Sequence, residues 1–446
     1  MKHRGKTILN ASAVSCGMAL CGFVAATHAG PYSAALHDPA NPEDAPVPGF
    51  VGPHGIGKAR LDTFAVDDNG DPVFENPDNF VNPLFFAWAD TIEDYQPSES
   101  VSAMFADPAA ALGPVTGDNF HVVALGDRSA GGAPPGTITV RLSQPIRNLT
   151  GADFVVFENG HIAEFNYGGA GIGGIFGELA QVWASADGEN FVRFPAVSLT
   201  AAAVGAYGSL DPTNLKNLAG KHTNAFGDSW GTPFDLAQVN LSEITHIRLV
   251  DIPGDGRIGD DSGRPIYDPW KTFGSGGFDL EAVGAISTPM TYARWPALET
   301  IAPEARGEAD DPDGDGLPNL LEYAFARVPW LHDAAEALPE IRLVAAGNDT
   351  FPELTFLRDE RLIDLVYEVQ ASSSLAGNSW TTIARSTSGG PLLPAGGHQP
   401  LIAETSASSI ASVGVIRRVT LRDAVPVTAA STRFLRVKVT TTPTDP

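Results

Sequence analysis

Between residues 121 and 286, short apolar runs recur, separated by segments rich in glycine, proline, asparagine and aspartate. Runs at 121–125, 137–142, 154–158, 179–185, 191–194, 244–252 and 278–286 predict β-strands. Phe154-Val-Val-Phe157 and Ile247-Arg-Leu-Val250 are nearly continuous in apolar residues, which predicts strands buried on both faces. Val182 to Ala186, followed by Asp187-Gly188, reads as a strand entering a hairpin turn. Strands in series with Gly-rich connections predict an all-β, jelly-roll-like sandwich over residues 82–288, not a βαβ fold.

The flanking segments differ. Residues 30–81 are dense in Pro, Gly, Asp and Asn and predict a loop-rich lead-in; Asp67-Asp68-Asn69-Gly70-Asp71 within it has no closing glutamate and reads as a turn. Residues 289–334 predict a linker holding an acidic loop, then a helix. Leu320, Leu321, Ala324, Phe325 and Val328 share one helical face for about three turns, and Pro329 ends it. From 335 to 446, runs at 353–358, 365–371, 379–383, 413–421 and 433–440 predict a smaller immunoglobulin/fibronectin-III-like sandwich.

Residues 1–29 carry Lys2, Arg4 and Lys6, a short apolar run and Thr27-His28-Ala29, the pattern of a secretory signal peptide cleaved after Ala29. The run is too short and too broken by Ser15, Gly17 and Gly22 for a spanning helix, so no transmembrane segment is expected in the mature chain. A secreted or cell-surface location follows. Cys16 and Cys21, the two cysteines of the chain, both fall in that segment, which leaves the mature chain without disulfides or thiolate ligands. The formal charge of −25 becomes more negative once the three basic residues leave. Such a surface repels nucleic acid and suits solubility or divalent cations.

The sharpest chemical pattern is Asp311-Pro-Asp313-Gly-Asp315-Gly316-Leu317-Pro-Asn319-Leu-Leu-Glu322. Oxygen-bearing side chains fall at loop positions 1, 3, 5, 9 and 12 with glycine at 6, the spacing by which an EF-hand-like loop wraps Ca²⁺. Asp311, Asp313 and Asp315 would each give an oxygen, Leu317 its carbonyl, Asn319 an oxygen or a bridging water, and Glu322 two. Pro303 and Gly307 stand where an incoming helix would be, so the expectation is a structural calcium site that orients two domains. Asp251, Asp255, Asp260 and Asp261 form a second acidic run that could hold a metal or be neutralised by Arg257 or Arg264.

Other candidates are weaker. Gly227-Asp-Ser229-Trp-Gly231 matches a serine-nucleophile pattern, but lacks the strand before and the helix after that the elbow needs. Glu158 and Glu178 could pair as the two acids of a glycoside hydrolase. The run 168–177 lacks the lysine of a phosphate loop and reads as a flexible β-loop. Trp230, Tyr267 and Trp270 sit in Gly/Pro-rich loops, where ligand-binding residues concentrate. The ten histidines show no metal spacing.

The ordered series Asn82-Pro83, Ala87-Trp88-Ala89, Asp153-Phe-Val-Val-Phe-Glu158-Asn159, Leu218-Ala-Gly-Lys221, Gly231-Thr-Pro-Phe-Asp-Leu236 and Gly277-Phe-Asp279-Leu280 resembles a family of exported bacterial cell-surface proteins of the PEP-CTERM type. The likeness runs over about residues 82–286 and implies a surface location without an established activity. Members often carry a C-terminal sorting signal; residues 440–446 do not match it. Asp313 to Ala324, with Tyr367 to Ser372 and Trp380, resembles a C-terminal module of secreted bacterial proteins and is similar to thrombospondin type 3 and dockerin calcium loops. The expectation is a non-enzymatic, calcium-dependent binding or adhesion protein whose partner is a glycan or other surface component. Small-nutrient capture for an outer-membrane transporter and a hydrolase using Glu158 and Glu178 are the alternatives.

Overall fold

A computed structural model describes residues 30–37, 41–60, 62–66, 72–73, 76–128, 132–376, 379–427 and 432–442. The signal-like segment and the acidic turn at 67–71 lie outside them. Strands dominate, and they build two antiparallel sandwiches.

In the first sandwich, one sheet runs Val47–Pro48, Trp230–Phe234, Phe154–Glu158, Asp279–Ala285, Ala87–Trp88, with Val123–Ala124 also on Asp279–Ala285. The facing sheet runs Val192–Arg193, Ala180–Ser185, Glu243–Asp251, Thr137–Arg147, Thr91–Gln96. Phe154 and Val156 meet Ile138, Val140, Val182, Ile247 and Leu249 between the sheets. Phe154 stacks on Phe234 at 5.2 Å and meets Phe194 edge-on at 5.8 Å. Removing such a ring costs about 3–5 kcal/mol.

The continuous apolar run at 154–157 has its reason here. Every residue of Phe154–Glu158 and of Asp279–Ala285 is buried, because the sheet is covered on both sides. Val155, Phe157 and Ala282 pack outward on Val47 and Phe50 of the N-terminal segment, on Phe85, and on Val413 and Val415 of the second sandwich. The lead-in is therefore part of the core. By contrast, Glu243–Asp251 alternates: Ile247 and Leu249 face inward, while Arg248 lies outside over Phe191 at 3.8 Å. Trp183 lies half-buried on the same outer face, with Arg193 6.0 Å from its ring.

The second sandwich pairs Glu340–Ala346, Asp349–Asp359, Ile416–Arg422, Leu401–Ser406 in one sheet against Leu393–Pro394, Thr381–Thr387, Leu365–Ser372, Phe434–Thr441 in the other. Glu340–Ala346 is an edge strand whose Ile341 and Leu343 stay 53% and 63% exposed. The runs predicted for this half of the chain do not include it, although Ile341-Arg-Leu-Val344 repeats the tetrapeptide Ile247-Arg-Leu-Val250.

The segment expected as a linker is packed. Tyr292, Trp295, Ala297 and Leu298, on 3₁₀ turns, join Leu317, Tyr323, Ala324 and Phe325 in the second core. The helix spans only Asn319–Ala324, shorter than the apolar spacing predicts. Ala326 adopts φ +57°, and the Arg327 N–H reaches the Glu322 carbonyl at 2.8 Å, which closes the helix as a C-terminal cap. Phe325 and Val328 are buried beyond the helix, so packing prolongs the pattern that the helix does not.

Arg361 joins the sandwiches. It is 3% exposed, chelates Asp359, donates to the carbonyls of Leu84 at 2.6 Å and Ile286 at 3.3 Å, and lies 3.7 Å from the Phe86 ring.

Candidate functional site

Two constellations stand out, an oxygen-lined loop and an aromatic cleft. The loop lies between the 3₁₀ turn Pro303–Ala305, which replaces an incoming helix, and Asn319–Ala324. Asp311, Asp313 and Asp315 bring ligand atoms within 4.8 Å of one another. Gly316 has φ +91°, which L side chains rarely adopt, so the turn at loop position 6 needs glycine.

Inside the turn, oxygens are left without partners. Glu322 is 0% exposed, and neither of its carboxylate oxygens has a hydrogen-bond donor; Asp313 Oδ2 and Asn319 Oδ1 are also buried and unpartnered. Asn319 is held in place by its amide, which donates to the carbonyls of Ala305 at 2.8 Å and Gly307 at 3.0 Å. Burial, reinforced by Asp313, Asp315, Asp333 and Asp311, pushes the Glu322 carboxyl up to about 8. Asp315 is held low despite burial, because the N–H groups of Leu317, Ala334 and Asp333 donate to it. Leu317 anchors the loop by its side chain, 1% exposed in the second core. An all-oxygen, carboxylate-rich set of this kind suits a hard divalent cation. Asp333, beyond the loop pattern, adds another buried unpartnered oxygen, and no spacing in the sequence signals it.

The aromatic cleft was not foreseen. His161–Ile162 pairs with Ile175–Phe176 in a short hairpin whose Gly-rich loop carries Phe165 and Tyr167. That loop is pinned: the Ala170 N–H meets the Ser209 carbonyl at 2.9 Å, and a β-carbon at Gly169 would come within 2.0 Å of the same oxygen. The pinning brings Tyr207 beside Tyr167, with ring centres 6.3 Å apart. His161 stacks on Phe176 at 5.0 Å and meets Phe226 edge-on at 5.2 Å. These rings enclose a cleft of about 750 Å³ rimmed by Glu164 and Asp228. Burial lowers the affinity of His161 for a proton, so its ring is neutral at neutral pH. Phe165, Tyr167 and Tyr207 are 63%, 67% and 67% exposed. Contiguous exposed aromatic surface marks an interaction site. The one sequence clue was aromatic residues set in a Gly-rich loop.

The other predicted residues fall elsewhere. Trp230 is half-buried, its ring pressed on Gly57, and Trp270 is half-buried with Nε1 donating to the Arg128 carbonyl at 3.3 Å. Tyr267 packs over Gly256. None of the three lines the aromatic cleft.

Asp251, Asp255, Asp260 and Asp261 do not share one site. Asp260 meets Arg264 and the N–H groups of Ser198 and Ser262, Asp261 meets Arg193 at 2.9 Å, and Asp255 meets Arg257 at 2.5 Å. Asp251 alone is fully buried with an unpartnered oxygen.

Ser229 is fully buried with no hydrogen bond to its Oγ. His222 instead contacts the Asp44 carbonyl, and His246 the Thr245 hydroxyl. Glu158 and Glu178 are 3% and 5% exposed and do not line the cleft.

No helix among the described residues is long and apolar enough to cross a membrane. No protein-family model matches the chain, and no curated protein matches it.

Proposed function

We propose that this is an exported bacterial binding or adhesion protein that captures a glycan on the aromatic cleft of its first sandwich. A structural Ca²⁺ at Asp311–Glu322 stiffens the second. The observation that carries the reading is the set of rings at Phe165, Tyr167 and Tyr207, held open to solvent by a pinned loop instead of buried. Aromatic faces attract the C–H faces of a sugar ring, and Glu164 at the rim can accept hydrogen bonds from its hydroxyls. Calcium is supported by the unpartnered oxygens of Asp313, Asn319 and Glu322. Extracellular modules bind it at about 10⁻⁴–10⁻³ M, which suits a site filled outside the cell.

The test is a glycan array probed with the chain from residue 30, in calcium and in chelator. Binding to one glycan class, lost in a Tyr167→Ala, Tyr207→Ala double variant with unchanged circular dichroism, is the expected result. An array hit that the double variant keeps, or an array with no hit, overturns the cleft as the binding site.

A further inference from the structure

The side chains that line the aromatic cleft offer more acceptors than donors. Its charged groups are Glu164 and Asp228, and no lysine, arginine, asparagine, glutamine, serine or threonine is among the described residues that line it. The donors that remain are the tyrosine hydroxyls and the one N–H of the neutral His161 ring. Asp228 is already paired, with the Lys58 ammonium at 2.5 Å. Glu164 is exposed, and no arginine or lysine among the described residues forms a salt bridge with it. Its charge reaches His161, whose proton affinity it raises against the larger effect of burial.

The ring faces are open as well. Elsewhere the fold supplies its own cation to an aromatic face: Arg361 lies 3.7 Å from the Phe86 ring, Arg248 3.8 Å from Phe191 and Arg436 4.2 Å from Trp380. No arginine or lysine among the described residues lies over Phe165, Tyr167 or Tyr207. Phe165 is inclined to Tyr167 by 45° and Tyr167 to Tyr207 by 62°, with centres 6.1 and 6.3 Å apart, so these rings do not cover one another by face-to-face stacking.

Open π-faces beside a carboxylate without a basic partner attract a group that is positive and brings donors without acceptors. An ammonium is such a group. A sugar carboxylate or sulfate would instead meet Glu164 with like charge and find no basic side chain in the lining. The formal charge of −25 on the chain also draws cationic ligands toward it, and anionic ones away, before contact.

With glycan capture as the role of the cleft, we propose that its ligand is a cationic amino sugar, a glycan whose amines are free and protonated. Glu164 and the neighbouring ring faces hold the ammonium, and the C–H face of the sugar lies on a tyrosine. N-acetylation of the same sugar removes the charge and adds a carbonyl acceptor to a lining already rich in acceptors, so the cleft discriminates against the acetylated form.

Calorimetric titration of the chain from residue 30 with chitosan oligomers, and with chitin oligomers of the same length, tests this at a mildly acidic pH. The two share a backbone and differ at the amine. The free-amine oligomer should bind about tenfold more tightly. Glu164→Gln should weaken that binding about fivefold, the upper range for an exposed ion pair, and leave chitin binding unchanged. The Tyr167→Ala, Tyr207→Ala double variant, which keeps every charge of the chain, should abolish it. Equal or tighter binding of chitin, or a chitosan affinity that Glu164→Gln leaves intact, overturns the amine specificity and leaves glycan capture by the cleft standing. Chitosan binding that the double variant keeps is attraction by the acidic surface at large and overturns the proposal, as does an absence of chitosan binding. A glycan array without any hit ends the broader reading as well.

Discussion

The Tyr323 hydroxyl donates to Asp364 Oδ1 at 3.0 Å, and the other oxygen of Asp364 accepts the Tyr292 N–H at 2.7 Å. One buried carboxylate thus ties the helix after the acidic loop, and the turn before the loop, to the second sandwich. The loop belongs to that sandwich and is not a joint between two domains. Tyr323→Phe should cost about 1.5–3 kcal/mol in urea unfolding, the worth of a hydrogen bond to a charged acceptor. An unchanged midpoint would show that the tie contributes nothing.

Glu322→Gln should abolish the calcium response. With an affinity of about 10⁻⁴ M and about 10 mM calcium, one filled site stabilises the parent by ~2.7 kcal/mol. In chelator the variant should melt no lower than the parent, because the change removes a buried carboxyl crowded by Asp313 and Asp315. Thermal melts with and without calcium read both effects. A variant that keeps the full calcium increment contradicts the ligand role of Glu322.

Much of this was legible in the sequence, and where it was not, the reason is physical. Phe154–Glu158 appeared as an apolar run because both faces of its sheet are covered. Ile341-Arg-Leu-Val344 repeats the tetrapeptide Ile247-Arg-Leu-Val250 yet forms an exposed edge strand, so an apolar run predicts a strand but not its burial. The loop ligands follow a local spacing, so a linear reading finds them. The cleft is assembled from His161, Tyr167, Tyr207 and Phe226 across two loops and a hairpin, and no spacing encodes a contact of that range. In the run Asp251–Asp261 the nearby Arg257 and Arg264 neutralise Asp255 and Asp260, the second of the two outcomes the sequence left open, while the pairing of Asp261 with Arg193, distant in sequence, left no local signal.

In the cleft, Tyr207→Ala should weaken glycan affinity about tenfold, the loss of roughly one stacking contact. Its side chain is largely exposed, so the melting temperature should stay within about 1 °C of the parent, as surface changes do. Calorimetric titration against the array hit measures the first and a thermal melt the second. A large drop in stability would make Tyr207 structural.

Arg361→Met should split the unfolding of the two sandwiches. It strips the partner from buried Asp359 and removes the donor to the Leu84 and Ile286 carbonyls. Breaking a buried ion pair costs about 3–5 kcal/mol. Calorimetry should show one transition in the parent and two in the variant. A single unshifted transition would mean that other contacts couple the sandwiches.

Asp153 gives stability a pH dependence. It is fully buried, and burial, opposed by the N–H groups of Leu149 and Leu236, pushes its carboxyl up to about 7. The unfolded chain loses this proton near ~3.9. Between those values the folded state keeps a proton that the unfolded state has released, so stability falls as pH rises, by on the order of 4 kcal/mol in total. Below the unfolded value the penalty is absent, and above about 7 it is constant. Urea midpoints at about pH 4.5 and about pH 8 should differ less in Asp153→Asn than in the parent, and equal differences would rule Asp153 out as the source.

The outer edge of Glu340–Ala346 offers unpaired backbone N–H and C=O groups to any neighbouring chain. Ile341 and Leu343 would make such an encounter sticky, while Arg342, paired to Glu353 at 2.5 Å and itself open to solvent, sets a charge in its path. Glu340 and Arg342 are thus the charges that keep this edge apart from its copies, and losing Arg342 would favour strand pairing between molecules before it altered the fold of any one of them.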